Sequence, residues 1–363
     1  MIRIGLDLYS LRSQGWNAFE CLEYCAAQGV TVVHFSEIGF LGGLEPAHLR
    51  RVREAAQRLG LELEIGMRSI CPSSKLFDPS QGTAEEQLSR MIDAARVAGS
   101  PIVRAVMGSR FDRGGEVPIE AHMANTVRVL RAVRGRAVDA GVRIAMENHG
   151  GDMRAAELKM LIEEAGTDFV GACLDSGNLP MTLDVPLAGL ETLAPYVLTS
   201  HLRDSEIWRT PRGVAVRWVP TGEGNVGIQE YLRRYIELCP GRAISIEMIR
   251  IEPRHLDCLE PDFWSAFRSV TGEELARYLA LAEQGRAPAK AETLAPEEIA
   301  ACERRDVEAC VRFCRELSPA RCRPACIDRG GYLDYSESEH DHSRTRRNDR
   351  KGCPDHPGFG HVF

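Results

Sequence analysis

Arg143-Ile144-Ala145-Met146-Glu147 is a short, mostly apolar run that ends in a carboxylate. The same pattern recurs at three later places, where a run leads into a metal-ligand type of side chain: 170–174 into Asp175, 197–200 into His201 and 243–246 into Glu247. A near-continuous apolar run is typical of a buried parallel strand. In a (β/α)8 barrel the chemistry gathers where such strands end. The pattern therefore predicts that these four side chains converge at one end of such a barrel.

The rest of the chain supports this fold, because strand-like and helix-like segments alternate from residue 2 to about 286. Strands are predicted at 2–6, 31–36, 61–66, 101–106, 142–147, 169–174, 196–201 and 243–249. Amphipathic helices are predicted at 17–28, 46–60, 84–99, 119–140, 154–165, 186–194, 227–238 and about 272–285. Gly60, Gly99 and Gly141 fall just past helix ends, where a left-handed cap favours glycine. Eight strand–helix units indicate an α/β fold, a (β/α)8 TIM barrel over residues 1–286.

Past residue 287 the apolar periodicity fades and prolines interrupt the chain. We predict a C-terminal extension over 287–363, with a short helix near 296–316 and then a disordered end. The extension carries half of the twelve cysteines: Cys302, Cys310, Cys314, Cys322, Cys326 and Cys353. Their spacing is not that of a standard pair of CxxC motifs. Reduced thiols are therefore the favoured interpretation, and a metal or cluster site is the alternative.

The composition bounds the class of protein. Hydrophobic residues make up 44% of the chain, as in soluble globular proteins, and the net charge of −7 argues against a nucleic-acid-coating surface. No run is long enough to cross a membrane, and Asp7 interrupts the first apolar residues, so we expect no signal peptide. The other six cysteines lack the spacing of a disulfide framework, which favours a cytoplasmic protein. A homo-oligomer is compatible with these features.

Three carboxylates and one imidazole form an oxygen-rich ligand set that suits a divalent cation. Mn²⁺ is the favoured ion, with Mg²⁺, Co²⁺ and Zn²⁺ as alternatives. The competing interpretation is four ordinary polar groups at strand ends. Long loops follow several strands, at 67–83, 107–118, 202–226 and 250–271, and we expect them to cover the site.

Short motifs surround the four candidate ligands: Met146-Glu147-Asn148-His149-Gly150, Leu174-Asp175-Ser176-Gly177-Asn178, His201-Leu202-Arg203-Asp204 and Ile246-Glu247. With the glycine-rich loop 220–226, they resemble the sugar phosphate isomerase/epimerase family of xylose isomerase-like TIM barrels. The resemblance covers about residues 1–286. It implies an enzyme of carbohydrate metabolism that acts on a small sugar or polyol and depends on one divalent metal ion.

The resemblance also implies roles for the four residues. Glu147, Asp175, His201 and Glu247 would be the metal ligands, and the two glutamates would also move protons. In this chemistry the metal polarises a substrate carbonyl and stabilises an enediolate. One carboxylate removes the α-proton from one face, and the other returns a proton to the opposite face. The implied activity is that of a metal-dependent isomerase or epimerase.

This chain departs from the ketose 3-epimerases of that family at two positions. They place a histidine three residues after the strand-six aspartate, where this chain has Asn178. They place an arginine six residues after the strand-seven histidine, where this chain has Ile207, with Arg209 nearby. The substrate and the product therefore stay open. The candidate substrate-binding residues are Glu37, Arg68, Arg104, Asn178, Arg203 and Arg209.

His149 keeps a second reaction class open. It lies two residues beyond Glu147, and it is a candidate proton carrier, sugar contact or loop-stabilising group. In related lyases that act on 3-keto-glycosides, a histidine near this place is the base. A lyase or dehydratase of a keto-sugar or cyclitol, and a non-catalytic sugar-binding barrel, are therefore alternatives. A DNA-repair endonuclease of the same superfamily is disfavoured, because it needs a histidine-rich trinuclear zinc site.

Overall fold

The computed structural model describes residues 2–288 and 295–317 of the chain. Eight parallel strands form a closed barrel: β1 (Arg3–Asp7), β2 (Val32–Phe35), β3 (Glu62–Ser69), β4 (Ile102–Val106), β5 (Arg143–Glu147), β6 (Val170–Asp175), β7 (Val197–Leu202) and β10 (Ala243–Ile246). Neighbours follow chain order, and β10 pairs with β1 to close the sheet, with Ile4 opposite Ile244. The predicted (β/α)8 barrel is confirmed.

Helices surround the barrel and connect its strands: α1 (Ala18–Ala27), α2 (Ile38–Leu41), α3 (Pro46–Arg58), α4 (Ala84–Ala98), α5 (Arg110–Arg113), α6 (Ile119–Ala140), α7 (Ala155–Ala165), α8 (Pro186–Leu193), α9 (Ile228–Leu238) and α10 (Gly272–Ala282). Local sequence explains their ends. Thr83 and Glu86 form a capping box before α4, and Gly99 ends that helix with a φ of 75°. None of the described helices combines the length and the apolar composition needed to cross a bilayer.

The strands alternate between an apolar outer face and an inner face that combines apolar and polar side chains. On β5, Ile144 and Met146 belong to the hydrophobic core between sheet and helices, whereas Glu147 joins a buried cluster with side chains from other strands. Polar contacts also cross the lower barrel, where Thr199 Oγ1 lies 2.6 Å from Glu64 Oε2. Burial of the outer face therefore stabilises the barrel, while the inner face holds a small apolar cluster as well as the charged groups.

Two loops that the sequence analysis treated as plain connections contain strands. β8 (Asp204–Thr210), β9 (Gly213–Val219) and β11 (Arg254–Leu256) form a three-stranded antiparallel sheet. Ile207, Val214 and Val216 pack with Tyr278 of α10 in a second hydrophobic cluster. The predicted eighth strand is also shorter than 243–249, because the chain leaves the barrel after Ile246 to reach this sheet. The sequence did contain one indication of a strand here: residues 213–219 form an alternating run, and Pro211 and Pro220 bound it.

The last described helix, α11 (Pro296–Glu316), occupies the segment for which a short helix was predicted. It packs against the barrel: Val307, Cys310, Val311 and Cys314 belong to the main hydrophobic core. Cys310 Sγ accepts a hydrogen bond from Thr221 N at 3.3 Å. The described cysteines of the extension are therefore buried packing residues, which favours the reduced-thiol interpretation. The predicted disordered end and Cys322, Cys326 and Cys353 lie outside the described residues.

We expect different results from two truncations of the extension. A chain that ends at residue 318 should keep its melting temperature, metal content and turnover, because all proposed ligands and α11 remain. A chain that ends at residue 288 should lose several kcal/mol of stability, since each buried side chain of α11 contributes roughly 1–3 kcal/mol. Thermal unfolding of both chains tests this. Equal melting temperatures would show that α11 contributes nothing to the fold.

Candidate metal and active site

The four candidate ligands meet at the C-terminal end of the barrel. One ligand atom from each of Glu147, Asp175, His201 and Glu247 lies within 4.8 Å of the others, and all four residues are buried. Strand register explains the convergence, because Asp175 pairs with His201 and Ser245 pairs with His201 on its other side. Glu247 follows β10 directly, and its N–H donates to Leu202 O at 3.1 Å.

Two buried arginines offset the negative charge of this cluster. Arg104 forms an ion pair with Glu147, and Arg203 contacts both Glu247 and Asp175, the latter at 3.1 Å. Burial opposes ionisation of Glu147 and Glu247, yet the neighbouring arginines and His201 hold the pKa of both carboxyls below the usual value. Burial, aided by the two nearby glutamates, raises the pKa of Asp175 to about 7 despite Arg203. The surroundings therefore favour the ionised form of Glu147 and Glu247 and oppose that of Asp175.

The donor set fits a divalent cation. His201 Nδ1 lies 2.8 Å from Glu247 Oε2 and 3.3 Å from Glu147 Oε2, and all three residues are buried. Candidate ligand atoms of three residues therefore meet at one point. A cation held among them would offset the charge of the two carboxylates. Three carboxylates with one imidazole are a ligand set that suits Mn²⁺ or Mg²⁺.

Asn178 supports the ligands and does not line the cavity above them. Its Nδ2 lies 2.7 Å from Asp175 Oδ2 and 3.4 Å from Glu147 Oε1. The residue is buried, and these contacts orient the two carboxylates. A direct contact between Asn178 and substrate stays a prediction.

A cavity of about 380 Å³ opens above the ligands. Several predicted residues line it: Glu37, Arg68, Arg104, His149, Arg203 and Glu247. Arg209 does not, because it lies on β8 with its Nε 3.1 Å from Glu283 Oε1. Binding of substrate by Arg209 stays a prediction. Trp218 lines the cavity beside Arg203, whose guanidinium lies 4.0 Å from the ring centroid.

His149 is held in a defined orientation at the cavity wall. Its Nδ1 lies 2.8 Å from Gly108 O, and its backbone N–H donates to Asp152 Oδ1 at 2.8 Å. Because a carbonyl oxygen can only accept, Nδ1 carries the proton in this contact and Nε2 is left as an acceptor. Burial is the main cause that lowers the pKa of His149. A neutral imidazole with an available nitrogen is suited to accept a proton.

The sequence analysis missed a group of residues beneath His201. His201 Nε2 lies 3.1 Å from His34 Nδ1 and 3.2 Å from Asp7 Oδ2, and all three residues are buried. These contacts hold the far side of the imidazole and direct Nδ1 toward the carboxylates. Asp7 ends β1 after an apolar run, so it carried the same signal as the four candidate ligands.

Comparisons with known proteins agree with the observed barrel fold. A family model described as xylose isomerase-like TIM barrel matches residues 18–264. The 3-oxo-isoapionate decarboxylase of Pectobacterium atrosepticum is 23% identical over 183 residues, which are 50% of this chain and 59% of that protein. The chain spans little more than half the length of the curated relatives it matches.

Two solved structures share the fold over most of the chain. A xylose isomerase domain protein from Planctomyces limnophilus is 15% identical, with a TM-score of 0.58 and coverage of 88% of this chain and 98% of that one. A D-psicose 3-epimerase with D-tagatose, from Clostridium cellulolyticum H10, is 13% identical, with a TM-score of 0.58 and coverage of 87% and 99%. At these identities the likeness shows the fold alone.

Proposed function

Because the chain belongs to the xylose isomerase-like TIM barrel family, we propose that it is a divalent-metal-dependent isomerase or epimerase of a sugar or related polyol. The observation that carries the proposal is the convergence of Glu147, Asp175, His201 and Glu247 within 4.8 Å. A cavity of about 380 Å³ above them falls within the usual range for small-molecule sites.

We assign the four residues as ligands of one divalent ion, with Mn²⁺ favoured over Mg²⁺, Co²⁺ and Zn²⁺. When bound, the ion would polarise a substrate carbonyl and stabilise the negative charge that develops as the neighbouring carbon loses its proton. Arg104 and Arg203 keep the ligand carboxylates in place through their ion pairs. Asn178 orients Asp175 and Glu147 from behind.

Glu147 and Glu247 are the proposed acid and base. They come from β5 and from the end of β10, which β6 and β7 separate in the barrel, so the two carboxylates approach the site from different sides. One would remove the α-proton and the other would return a proton to the opposite face. Ionised carboxylates are the form that such a base requires, and the neighbouring arginines favour it.

A lyase or decarboxylase of a keto-sugar is the second candidate, with a cyclitol dehydratase as a related variant. His149 favours this class because it lines the cavity with one nitrogen free to accept a proton. The decarboxylase relative from Pectobacterium is consistent with it. Both candidates pass through an enolate. An isomerase, epimerase or lyase forms it by losing the α-proton, and the lyase then expels a leaving group, whereas a decarboxylase forms it by losing carbon dioxide and then takes up a proton.

Solvent deuterium incorporation tests the proposal. Metal-replete protein in D2O should introduce deuterium at the α-carbon of one member of a panel of ketoses, keto-sugars, keto-cyclitols, sugar phosphates and sugar acids, as read by mass spectrometry. An isomerase or epimerase keeps the substrate's heavy-atom composition, whereas a lyase or decarboxylase loses a fragment. No exchange and no product across the panel would instead support a non-catalytic sugar-binding barrel.

A further inference from the structure

The cavity above the ligands is strongly basic. Its described lining contains seven arginines: Arg12, Arg68, Arg104, Arg110, Arg203, Arg250 and Arg254. Only two carboxylates, Glu37 and Glu247, line it with them. Because the ligand carboxylates already have cationic partners, the other arginines of the lining are balanced only where a further acidic side chain contacts them.

Four of the seven have such a partner. Arg104 and Arg203 contact the ligand carboxylates, as described above. The other two are held by α11: Arg12 Nη1 lies 3.4 Å from Glu303 Oε1, and Arg250 Nε lies 2.7 Å from Asp306 Oδ2. These four charges are therefore largely accounted for by the protein itself.

The remaining three, Arg68, Arg110 and Arg254, have no carboxylate within ion-pair distance in the part of the chain that the structure describes. They come from β3, from the first residue of α5 and from the first residue of β11, so three separate segments bring them to one cavity. Burial, together with the charge of Arg110, lowers the pKa of Arg254. Arg110 and Arg254 therefore lie close enough to repel each other, and Arg68 lines the same cavity.

An anionic group matches this arrangement better than a neutral sugar does. Sugar hydroxyls both donate and accept hydrogen bonds, whereas guanidinium groups can only donate. Phosphate and carboxylate oxygens only accept when ionised, and the planar guanidinium matches their geometry with two parallel hydrogen bonds. The Arg110 guanidinium also lies 4.6 Å from the Phe111 ring centroid, within the range of a cation–π contact.

We propose that Arg68, Arg110 and Arg254 form a subsite for an anionic group of the substrate, a phosphate or a carboxylate. The inference rests on the proposed function, since it assigns a substrate class to the same cavity. The substrate is then a sugar phosphate or a sugar acid whose anionic group lies at this subsite, while its reacting carbon lies near Glu247.

Binding of matched neutral and anionic probes tests the subsite. The probes are D-fructose, fructose-6-phosphate, D-gluconate and inorganic phosphate, titrated into the metal-replete full chain by calorimetry. Fructose-6-phosphate or gluconate should bind at least about tenfold more tightly than fructose, because a charge-assisted hydrogen bond is worth that much or more. Of fructose-6-phosphate and gluconate, the probe that binds more tightly identifies the anion as phosphate or carboxylate. Each single variant, Arg68→Gln, Arg110→Gln or Arg254→Gln, should lose about tenfold in affinity for it.

The triple variant should abolish the preference for the anion. Its matched control carries Arg50→Gln, Arg53→Gln and Arg58→Gln, three exposed positions on α3 outside the cavity lining, with the same change in net charge. The control should keep the preference. Equal binding of neutral and anionic probes by the wild type would overturn the proposal. Equal loss of affinity in the control and the triple variant would overturn it as well.

Deuterium exchange separates this inference from the proposed function. Anion binding that depends on the three arginines, without α-proton exchange in any sugar, would keep the subsite and contradict the isomerase proposal. Exchange on a neutral sugar, together with no binding of inorganic phosphate, fructose-6-phosphate or gluconate, would keep the isomerase proposal and contradict the subsite.

Discussion

Glu147→Gln and Glu247→Gln should each lower net turnover by about 10²–10⁴-fold, because a positioned acid or base contributes that much. Glutamine keeps the size of the side chain and one oxygen that can bind a cation, but its amide cannot carry the proton. Steady-state turnover of the substrate that the exchange experiment identifies is the measurement. Metal content by elemental analysis, measured in parallel, separates a loss of acid–base function from a loss of the ion.

The two variants should differ in partial exchange. If each glutamate serves one face of the substrate, one variant still exchanges the α-proton with D2O while net turnover is lost, since the other carboxylate remains competent. Loss of exchange in both variants, with metal content unchanged, would show that the two groups act as one unit on a single face.

His149→Ala is the contrast for this pair. A modest loss of turnover would make His149 a substrate contact, as its position in the cavity wall allows. Abolished exchange in His149→Ala, with Glu147→Gln still exchanging protons, would contradict the glutamate pair. That result would favour the lyase, because the available nitrogen of His149 would then be the base.

His201→Ala and Asp175→Asn should remove most of the bound metal and, with it, most of the turnover. Alanine deletes the only imidazole among the four ligands, and asparagine removes one of the three negative charges that attract the cation. The metal content of the purified proteins, measured by elemental analysis, should fall from about one divalent ion per chain to well below that value. Chelation of the wild-type protein should have the same effect on turnover, and re-addition of Mn²⁺ should reverse it.

His48→Ala is the matched control for the metal experiment. His48 is a partly buried histidine whose Nε2 lies 2.7 Å from Leu41 O, and it is not part of the ligand cluster. Its variant should keep the metal content of the wild type. Unchanged metal content in both His201→Ala and Asp175→Asn would remove the metal assignment. The four converging side chains would then have to be explained by their ion pairs with Arg104 and Arg203 alone.

Local sequence patterns were enough to predict the fold and the four candidate metal ligands. Strands and helices have periods of about two and 3.6 residues, so the repeated run-and-helix pattern was readable without any long-range information. Barrel strands all end on one face, which made the last side chains of four runs predictable neighbours. The positions of Glu147, Asp175, His201 and Glu247 follow from these two regularities.

Contacts between distant segments account for what the sequence pattern left open. Arg104 and Arg203 could bind substrate or pair with carboxylates on sequence grounds, and the packed barrel places them beside Glu147 and Asp175. Asn178 and Arg209 both lie near candidate ligands in sequence. Asn178 is buried behind the ligands, whereas Arg209 pairs with Glu283 just past the C-terminal end of α10. Burial and ion pairing depend on all neighbours in space, and no local period encodes them. The antiparallel sheet, the packing of α11 and the meeting of Arg68, Arg110 and Arg254 in one cavity arise for the same reason, since each joins segments that are far apart along the chain.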